Sequence, residues 1–354
     1  MKFLSVVGAR PELIQAMPVS QALRARHEEV LVHIGQPSDY RMAQIFFDEL
    51  ALPTPRYTVA LEAGTQAQQL TQLLTQLEPL LLAEKPDVVI VRGDSNSTLG
   101  VALLASKLQI PLAHIEAGER SSQHITPAAS NRVMIDTLAD YHFCSTQKAA
   151  DQLAHAGKAN RTYWIGDVML DALRQVLPRA STRVPLLANL GVTVEAYGLV
   201  TLHHPVNVDN PQRLRQILQT LNRLQEPIIF PLHPRTRRAI ASLGLPLAAH
   251  IQHIEPLGYL DMLMLAANAR IIATDSSGLQ REAFYLLTPC LTLRDATEWT
   301  ETVETGWNYI VDADPQQIIE RWHNFPLPAM PPDLFGDGTA AQRIVAILEE
   351  MLGE

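Results

Sequence analysis

A Ser-Ser-Gly turn that leads into a helical pattern is the feature of this sequence that points most directly to a ligand. Asp275, Ser276, Ser277 and Gly278 follow an apolar run typical of a strand end and precede a pattern typical of a helix. The first turn of a helix leaves backbone N–H groups unpaired, and the positive end of the helix dipole adds to the attraction of an anion. We therefore predict that Ser276, Ser277 and Gly278 bind a diphosphate. Glu282, about one turn further, is then placed to accept hydrogen bonds from a ribose. The alternative is a capped helix that binds nothing.

Three more charged residues follow strand-like runs in the first half of the chain. In open α/β sheets the ligands lie beyond the carboxyl ends of the strands, so polar residues at those ends are informative. Arg10 follows the first run, and Pro11 after it suits the first turn of a helix, so Arg10 either contacts a phosphate or is a surface side chain. Asp94 and Glu116 end two runs that we expect to be near neighbours facing an interdomain cleft. Two such carboxylates can separate in pKa and serve as acid and base, or they can be helix N-caps.

The second half of the chain carries histidines and an arginine at corresponding positions. His203 follows its first strand-like run, His233 follows the next, and Arg294 follows the run that begins at Cys290. His233 is explained as readily by a structural role as by a ligand contact. No metal site is predicted, because zinc catalysis needs three convergent ligands and no second His or Cys lies at helical spacing.

Glycine-rich nucleotide motifs are missing from the sequence. The residues around Arg10 do not form a dinucleotide-binding turn, and neither a P-loop nor a nucleophile elbow occurs. Redox chemistry on a tightly held NAD is therefore not predicted, and no cofactor is expected. From the residues alone, the class that remains is a nucleotide-sugar enzyme such as a glycosyltransferase.

Short β-rich runs alternate with helical patterns along the whole chain, which predicts parallel sheets covered by helices. The predicted strands are Lys2–Val7, Val30–Ile34, Asp87–Val91, Leu112–Ile115, Tyr141–Cys144, Thr162–Ile165, Tyr197–Thr201, Pro227–Phe230, Ile251–Ile254, Arg270–Ala273, Cys290–Leu293 and Tyr309–Val311. Because the series restarts at Tyr197, we predict an α/β protein with two Rossmann-like, doubly wound domains. Residues 1–167 form the first domain and residues 168–338 the second. An amphipathic helix at about 339–352 is expected to pack back on the first domain.

Composition sets the broad class. A chain of 354 residues, 47% of them hydrophobic, exceeds what one core usually supports and so predicts two domains. Its net charge of −9 argues against nucleic acid or an anionic membrane as the main partner. Cys144 and Cys290 lie in apolar runs, so no disulfide is expected. Neither a signal peptide nor a run of about 20 apolar residues is recognised, so we expect a cytoplasmic protein.

The loops also form an ordered series of motifs. They are GARPE at 8–12, VRGDSNST at 91–98, HIEAGERS at 114–121, NR at 131–132, TLHHPVNVDNP at 201–211, HPR at 233–235, TDSSGLQREA at 274–283, LRDATEW at 293–299 and GDG at 336–338. This series resembles the non-hydrolysing UDP-N-acetylglucosamine 2-epimerase family over essentially the whole chain. Any one motif is weak evidence, whereas the order of all of them is strong. The resemblance implies a glycosyltransferase-B-like fold, usually a homodimer, that makes precursors of cell-surface polysaccharides.

The resemblance further implies a reaction and a set of residue roles. The family inverts carbon 2 of the sugar without NAD, by eliminating UDP to leave a 2-acetamidoglucal and adding UDP back after a proton returns on the other face. Asp94 and Glu116 match its acid–base carboxylates, and His203 matches a histidine implicated in diphosphate contact or catalysis. The residues that match the substrate-binding or UDP-binding set are Arg10, Arg132, His233, Ser276, Ser277, Gly278, Glu282 and Arg294.

The sequence departs from the family pattern at four places, which involve six residues. The family has PEE-x-NR where this chain has PAASNR at 127–132, so a carboxylate counted among the acid–base residues is absent. A lysine, an arginine, a glutamate and a glycine of the usual pattern are replaced as well. Ala128 and Ala129 replace the glutamate pair, Gln15 replaces the lysine, and His204 replaces the arginine. Val206 replaces the glutamate, and Ser277 replaces the glycine.

These departures leave three readings open. The chain acts on a UDP-amino sugar other than the usual one, or Glu119, Asp136 or His124 replaces the missing carboxylate, or the chain is a weakly active or inactive nucleotide-sugar binder. We favour epimerase activity because the acid–base pair and the diphosphate turn are retained. Activation by a second substrate molecule is not predicted, because residues 36–38 read Gln-Pro-Ser where the family has Gln-His-Arg.

Overall fold

The computed structural model describes residues 1–35, 44–120 and 126–353. The chain divides into two compact units, Met1–Gln175 with Asp333–Glu354 (unit 1) and Val176–Pro332 (unit 2). The boundary expected from the sequence, between residues 167 and 168, stands a few residues before this division. Two features discussed from the sequence, His124 and the loop 36–38, lie outside the described residues.

Unit 1 contains a parallel sheet of seven strands. They are β1 (Lys2–Val7), β2 (Glu28–Ile34), β3 (Tyr57–Val59), β4 (Val88–Arg92), β5 (Leu112–Ile115), β6 (Tyr141–Cys144) and β7 (Thr162–Trp164). The order across the sheet is β3-β2-β1-β4-β5-β6-β7, and each neighbouring pair is parallel. The strand order reverses direction between β1 and β4, and in such sheets a ligand crevice forms beyond the strand ends at this point.

Helices connect these strands. They are α1 (Arg10–Arg24), α2 (Ile45–Glu49), α3 (Gln66–Glu84), α4 (Asn96–Lys107), α5 (Pro127–Leu138), α6 (Gln147–Leu153) and α7 (Val168–Ser181), with one π-helical turn at Ala154–Lys158. The start of α4 is fixed by Ser95, whose Oγ accepts a hydrogen bond from Thr98 N at 3.1 Å. The start of α5 is fixed in the same way by Thr126, which accepts from Ala129 N at 3.1 Å. These caps satisfy backbone donors that a helix leaves unpaired and so fix the loops that enter each helix.

Unit 2 repeats the architecture with six parallel strands. They are β8 (Gly198–Thr201), β9 (Ile228–Pro231), β10 (Ile251–Ile254), β11 (Ile271–Thr274), β12 (Cys290–Thr292) and β13 (Asn308–Ile310). Their order is β10-β9-β8-β11-β12-β13, and it reverses between β8 and β11. The helices of unit 2 are α8 (Pro185–Asn189), α9 (Pro205–Val208), α10 (Pro211–Leu221), α11 (Pro234–Leu243), α12 (Tyr259–Asn268), α13 (Ser277–Tyr285), α14 (Thr300–Glu304) and α15 (Pro315–His323). The C-terminal α16 (Ala340–Leu352) belongs to unit 1.

A capping residue followed by proline begins four helices of unit 2. The pairs are His204-Pro205, Asn210-Pro211, His233-Pro234 and Asp314-Pro315. Proline has no N–H to lose in the first helical turn and its φ is already helical, so each pair sets a sharp helix start. One of these starts, at His204, lies directly beside His203, and another begins with the predicted site residue His233 itself. Both fix the backbone at these positions.

Apolar strands buried on both faces form the cores, as parallel sheets require. In unit 1 the C-terminal helix α16 belongs to this core, since Ile344 and Leu348 cluster with Phe3 and Val19. Both cysteines are buried, and burial raises the pKa of each thiol. None of the helices in the described residues combines the length and apolar character that a bilayer-crossing segment needs.

The predicted fold class is confirmed, since two doubly wound parallel α/β units are present. Two local predictions are wrong. The strand β3 at Tyr57–Val59 was not predicted. The helix predicted to follow Gly278, with Leu279 as its first residue, begins at Ser277. The second difference places Ser277 and Gly278 inside the first turn of α13, where backbone N–H groups lack helical partners.

Candidate active site

A buried arginine joins the two carboxylates that follow β4 and β5 in unit 1. Arg132 on α5 donates from Nη2 to Asp94 Oδ2 at 2.7 Å and to Glu116 Oε1 at 3.2 Å. Its Nη1 donates to the backbone carbonyl of Glu116 at 2.6 Å. The adjacent residue Asn131 donates to the backbone carbonyl of Asp94 at 3.0 Å. The two predicted acid–base residues therefore lie together, and the first turns of α5 hold both.

The charges of this cluster stabilise one another. Burial acts to raise the pKa of Asp94, but the charge and hydrogen bond of Arg132 outweigh it and hold that pKa below its ordinary value. Burial acts to lower the pKa of Arg132, and the charges of Asp94 and Glu116 raise it above its ordinary value. Asp94 and Arg132 are therefore charged at neutral pH. The alternative role of Asp94 as a helix cap is wrong, since Ser95 caps α4.

Glu116 occupies a tight turn with an unusual backbone. Its φ is +67°, in the left-handed region that residues other than glycine seldom adopt. Gly118 follows with a φ of +81°, and a Cβ there would lie 2.4 Å from the carbonyl oxygen of Ala149, so only glycine fits. The amide of Gln15 donates to Glu116 Oε2. Position 15 thus contributes a neutral hydrogen bond where the family has a cation.

Behind this turn lies a second buried charge cluster. His114 Nδ1 lies 2.7 Å from Asp136 Oδ1, and its Nε2 lies 2.8 Å from the carbonyl oxygen of Gly93. Arg120 contacts the other oxygen of Asp136 at 2.6 Å. Both ring nitrogens of His114 are therefore within hydrogen-bond distance of an oxygen atom. His114 so ties the turn before Asp94 to the helix that carries Arg132.

Asp136 and Glu119 were considered as replacements for the missing carboxylate. Burial acts to raise the pKa of Asp136, but its bonds to His114 and Arg120 lower that pKa to about 2, so Asp136 is a poor proton donor at neutral pH. Glu119 is 4% exposed and accepts a hydrogen bond from Thr146 at 3.3 Å. Ala128, where the family has a carboxylate, is exposed at the start of α5. The described residues therefore offer no obvious substitute at that helix start.

Arg10, the predicted diphosphate ligand of unit 1, begins α1. Its guanidinium lies 5.0 Å from the centre of the Phe46 ring, a cation–π contact that holds the side chain at the end of β1. Glu12, two residues on, accepts hydrogen bonds from Gly8 N at 2.6 Å and Ala9 N at 3.2 Å. Burial raises the pKa of Glu12 to about 7. The loop before Arg10 is therefore fixed by its own helix.

In unit 2 a carboxylate that was not proposed as a site residue holds the His203 loop. Asp275 is 1% exposed, and its oxygens accept from His203 N at 3.0 and 3.1 Å and from His204 N at 3.0 Å. The His203 side chain is 46% exposed, and its ring lies 6.3 Å from that of His233, centre to centre. His233 also caps α11, since its Nδ1 accepts from Arg235 N at 3.1 Å. The two histidines thus lie together on an accessible surface of unit 2.

The predicted diphosphate turn is accessible. Ser276, Ser277 and Gly278 are each partly exposed, and Ser276 caps α13 by accepting from Leu279 N at 3.3 Å. The indole of Trp299 donates to Ser277 Oγ at 3.2 Å, so this hydroxyl has a fixed position. The backbone N–H groups of Ser277 and Gly278 occupy the first helical turn, the geometry that favours an anion.

The other two predicted ligands of unit 2 differ in their surroundings. Glu282 lies within α13 and is 5% exposed. Arg294 is bound by both oxygens of Glu298, at 3.1 and 2.9 Å. Burial acts to lower the pKa of Arg294, and the hydrogen bonds that Arg294 donates to Glu298 raise that pKa above its ordinary value. A phosphate that binds Arg294 would have to compete with this bidentate pair.

The structure brings part of the predicted set together within each unit, whereas the contacts of Arg10 and Arg294 are to Phe46 and Glu298. Unit 1 brings together Asp94, Glu116 and Arg132, and unit 2 brings His203 close to His233. Within the described residues, no group of three or more His, Cys, Asp or Glu side chains is placed to hold a metal ion. The residues that sequence reasoning missed are Gln15 as a partner of Glu116, His114, Asp275 and Trp299.

Two doubly wound parallel units with charged residues at the strand ends define a protein of the glycosyltransferase-B-like fold class. Its fold is shared with the calicheamicin glycosyltransferase CalG4, at a TM-score of 0.56 and 15% identity over 99% of both chains.

Closer relatives identify the family. The sequence model of the UDP-N-acetylglucosamine 2-epimerase family matches residues 21–349 of this chain. The UDP-2,3-diacetamido-2,3-dideoxy-D-glucuronate 2-epimerase of Pseudomonas aeruginosa is 41% identical over 361 residues, which cover 99% of this chain and 100% of the relative. The crystal structure of the Methanocaldococcus jannaschii UDP-GlcNAc 2-epimerase in complex with UDP-GlcNAc and UDP is 38% identical, with a TM-score of 0.93 over 99% and 100% of the two chains. The chain belongs to the UDP-N-acetylglucosamine 2-epimerase family, and the predicted membership and isomerase class are confirmed.

Proposed function

We propose that the protein inverts carbon 2 of a UDP-2-acetamido sugar by eliminating UDP and adding it back. In the first step the proton leaves carbon 2 and its electron pair forms a C1–C2 double bond, while the C1–O electron pair leaves with UDP. In the second step a proton returns to carbon 2 on the opposite face and the diphosphate oxygen bonds again to carbon 1. Atoms and electrons balance, and no redox cofactor takes part.

The arrangement of Asp94, Arg132 and Glu116 carries this proposal. A weakly acidic C–H bond needs a positioned base, and Asp94 is held ionised by Arg132, so it is ready to accept a proton. Glu116 lies against the same guanidinium and is the second carboxylate available for proton transfer. We propose that these two residues exchange the carbon 2 proton, with Arg132 as the group that positions both.

We propose that unit 2 binds the uridine diphosphate. A departing diphosphate needs N–H donors and cations, and the first turn of α13 at Ser277 and Gly278 offers backbone donors. His203 and His233 add ring nitrogens at an accessible surface, while Glu282 is proposed as the ribose ligand. The further diphosphate ligands that we propose in unit 2 are Ser276 and Arg294. Arg10 stays the phosphate ligand that we propose in unit 1.

Proton NMR in heavy water tests the proposal directly. Purified protein would be incubated with UDP-N-acetylglucosamine and, separately, with UDP-2,3-diacetamido-2,3-dideoxy-D-glucuronate. We expect the carbon 2 proton signal to disappear and the signals of the epimer to grow, without release of free UDP. Release of free sugar would indicate a hydrolysing enzyme, and UDP release that depends on an acceptor would indicate a glycosyltransferase.

A second candidate, a nucleotide-sugar binder without turnover, is favoured by particular replacements. Ala128 and Ala129 cannot move a proton, and Gln15 supplies no charge to Glu116. A binder would give heat with UDP in a calorimeter and no deuterium in the sugar. Deuterium exchange in either UDP-sugar would exclude it.

We further propose a cytoplasmic homodimer that supplies precursors of cell-surface polysaccharides. A second copy would cover apolar side chains that α5 exposes, Val133 at 47% and Met134 at 43%. Light scattering coupled to size exclusion tests the assembly. A monomer at micromolar concentration would contradict it, and Met134→Lys should weaken the dimer if α5 lies in the interface.

A further inference from the structure

Two backbone N–H groups of the His203 loop donate hydrogen bonds to one buried carboxylate. Asp275 follows β11, and its oxygens accept from His203 N and His204 N, which follow β8. The same carboxylate lies 3.4 Å from Nδ1 of the His203 ring. The Nδ1 side of the ring therefore faces Asp275, and Nε2 is directed to the other side of a ring that is 46% exposed.

A buried asparagine braces Asp275 from behind. Asn207 is 0% exposed, and its Nδ2 donates to Asp275 Oδ2 at 3.0 Å and to the carbonyl oxygen of Leu293 at 2.8 Å. Its Oδ1 accepts from Arg213 Nε at 2.6 Å. Carboxylate and carbonyl oxygens only accept, and a guanidinium only donates, so a single orientation of the amide satisfies all three neighbours.

The outer end of this network is a partly exposed ion pair. Arg213 on α10 donates from both terminal nitrogens to the two oxygens of Asp312, one of them at 3.1 Å. Asp312 follows β13 and its side chain is 40% exposed. A planar guanidinium held at both ends cannot rotate, so its Nε stays directed at Asn207. The chain of contacts thus runs from the surface to the backbone of His203.

We propose that Asp312, Arg213, Asn207 and Asp275 form a positioning chain that fixes the His203 ring for contact with the diphosphate. The inference rests on the proposed role of His203. None of the four residues needs to touch the substrate, because each acts through the next. Catalytic geometry tolerates little displacement, and a shift of about 1 Å can cost about a hundredfold in rate. The outermost member of the chain should therefore affect turnover although it is partly exposed to solvent.

Two matched carboxylate-to-amide variants test the proposal. Asp312→Asn removes the charge that holds Arg213, and asparagine accepts the left-handed backbone of this position, whose φ is +52°. Asp314→Asn makes the same chemical change two residues further on. Asp314 caps α15 and is not a member of the positioning chain. Asparagine caps helices as well as aspartate does, so this control should fold normally. Arg213→Lys serves as a second variant, since lysine keeps the charge and loses the planar fork.

Two readouts separate positioning from a general structural role. The first readout is two-dimensional NMR of the histidine rings in the free protein, in which the His203 signals are assigned by their absence in His203→Gln. The His203 signals should be shifted in Asp312→Asn and unchanged in Asp314→Asn. In the exchange assay, Asp312→Asn and Arg213→Lys should lower kcat about tenfold, with KM and the melting temperature nearly unchanged. The NMR readout needs no activity, so it stays decisive even if the proposed function fails.

Overlapping His203 signals in Asp312→Asn and wild type would overturn the positioning chain. A loss of kcat that merely follows a fall in melting temperature, or an equal loss in Asp314→Asn, would also overturn it. Absence of deuterium exchange in the wild type would instead refute the proposed function, with the NMR comparison still deciding whether the chain fixes the ring.

Discussion

Replacing Arg132 with methionine tests whether this guanidinium stabilises unit 1 through the two carboxylates that it joins. Methionine resembles the apolar stem of arginine, so the change removes the charge and the donors and keeps much of the packing. Asp94 and Glu116 then lose the group between them, and breaking a buried charge pair costs about 3 to 5 kcal/mol. Because the Asp94 side chain is 32% exposed, water offsets part of this cost. We expect the free energy of unfolding at pH 7 to fall by about 3 kcal/mol.

The loss should depend on pH with a definite sign. The pKa of Asp94 is lowered in the folded protein, so Asp94 contributes stability that is present above its unfolded pKa of about 3.9. That stability is lost as the pH falls through the folded pKa. In Arg132→Met the contribution is already gone. The difference in stability between wild type and variant should therefore be largest near pH 7 and shrink below about pH 4.

Fluorine NMR can follow unit 1 separately from unit 2. Trp164 is the one tryptophan in the sequence of unit 1, so its signal in fluorotryptophan-labelled protein reports the unfolding of this unit in urea. Arg26→Met is the control, because it removes an exposed ion pair with Glu349 that is worth at most about 1 kcal/mol. Equal losses in the two variants would refute the reasoning, as would a loss in Arg132→Met that is the same at pH 7 and pH 3.

Three further predictions concern the proton-transfer residues and the loop before Arg10. Asp94→Asn should slow deuterium exchange by about a hundredfold to ten-thousandfold and leave the UDP affinity measured by calorimetry nearly unchanged; an equal loss of both would make Asp94 structural. Ala129→Glu restores a carboxylate at the start of α5 and should speed exchange into UDP-N-acetylglucosamine by about tenfold or more, whereas an unchanged rate would show that this position does not limit turnover. Burial raises the pKa of Glu12 to about 7. The stability that the protonated Glu12 contributes is therefore fully present below its unfolded pKa of about 4.3. As the pH rises through 7, the free energy of unfolding should fall by about 3 kcal/mol. Glu12→Gln should remove this dependence in urea titrations, and equal stability of the wild type at pH 5 and pH 8 would contradict the assignment.

Strands that are buried on both faces could be predicted from the sequence. Lys2–Val7, Leu112–Ile115 and Tyr141–Cys144 have the predicted bounds, because apolar runs between turn residues are typical of parallel sheets. Tyr57–Val59 was missed because an edge strand of three residues is partly exposed and gives too short a pattern. The start of α13 was placed two residues late because the serines before Leu279 read as a turn, while Ser276 in fact caps the helix.

The site was predictable where charged residues follow strands, and less so where a residue acts through another. Asp94 and Glu116 could be paired from the sheet order alone, since the carboxyl ends of β4 and β5 meet at one edge. The role of Asp275 depends on a loop 72 residues earlier in the chain, and no local pattern reveals such a contact. Trp299 was likewise missed, because its hydrogen bond to Ser277 joins the starts of α13 and α14, which only the folded sheet brings together.

The buried cluster also bears on which of the residues that match the family pattern are evidence for catalysis. Arg132 is 5% exposed and Glu116 is 5% exposed, so losing either partner would destabilise unit 1 whether or not the protein turns over a substrate. Their retention is therefore compatible with a binder as well as with an enzyme. The His203 side chain is 46% exposed, yet Asp275 holds the backbone of its loop, and Asn207 and Arg213 in turn hold Asp275. Catalysis requires that the side chains that contact the substrate be held in a fixed geometry. Because a network holds the loop of the accessible His203 side chain, we favour epimerase activity despite Ala128 and Ala129.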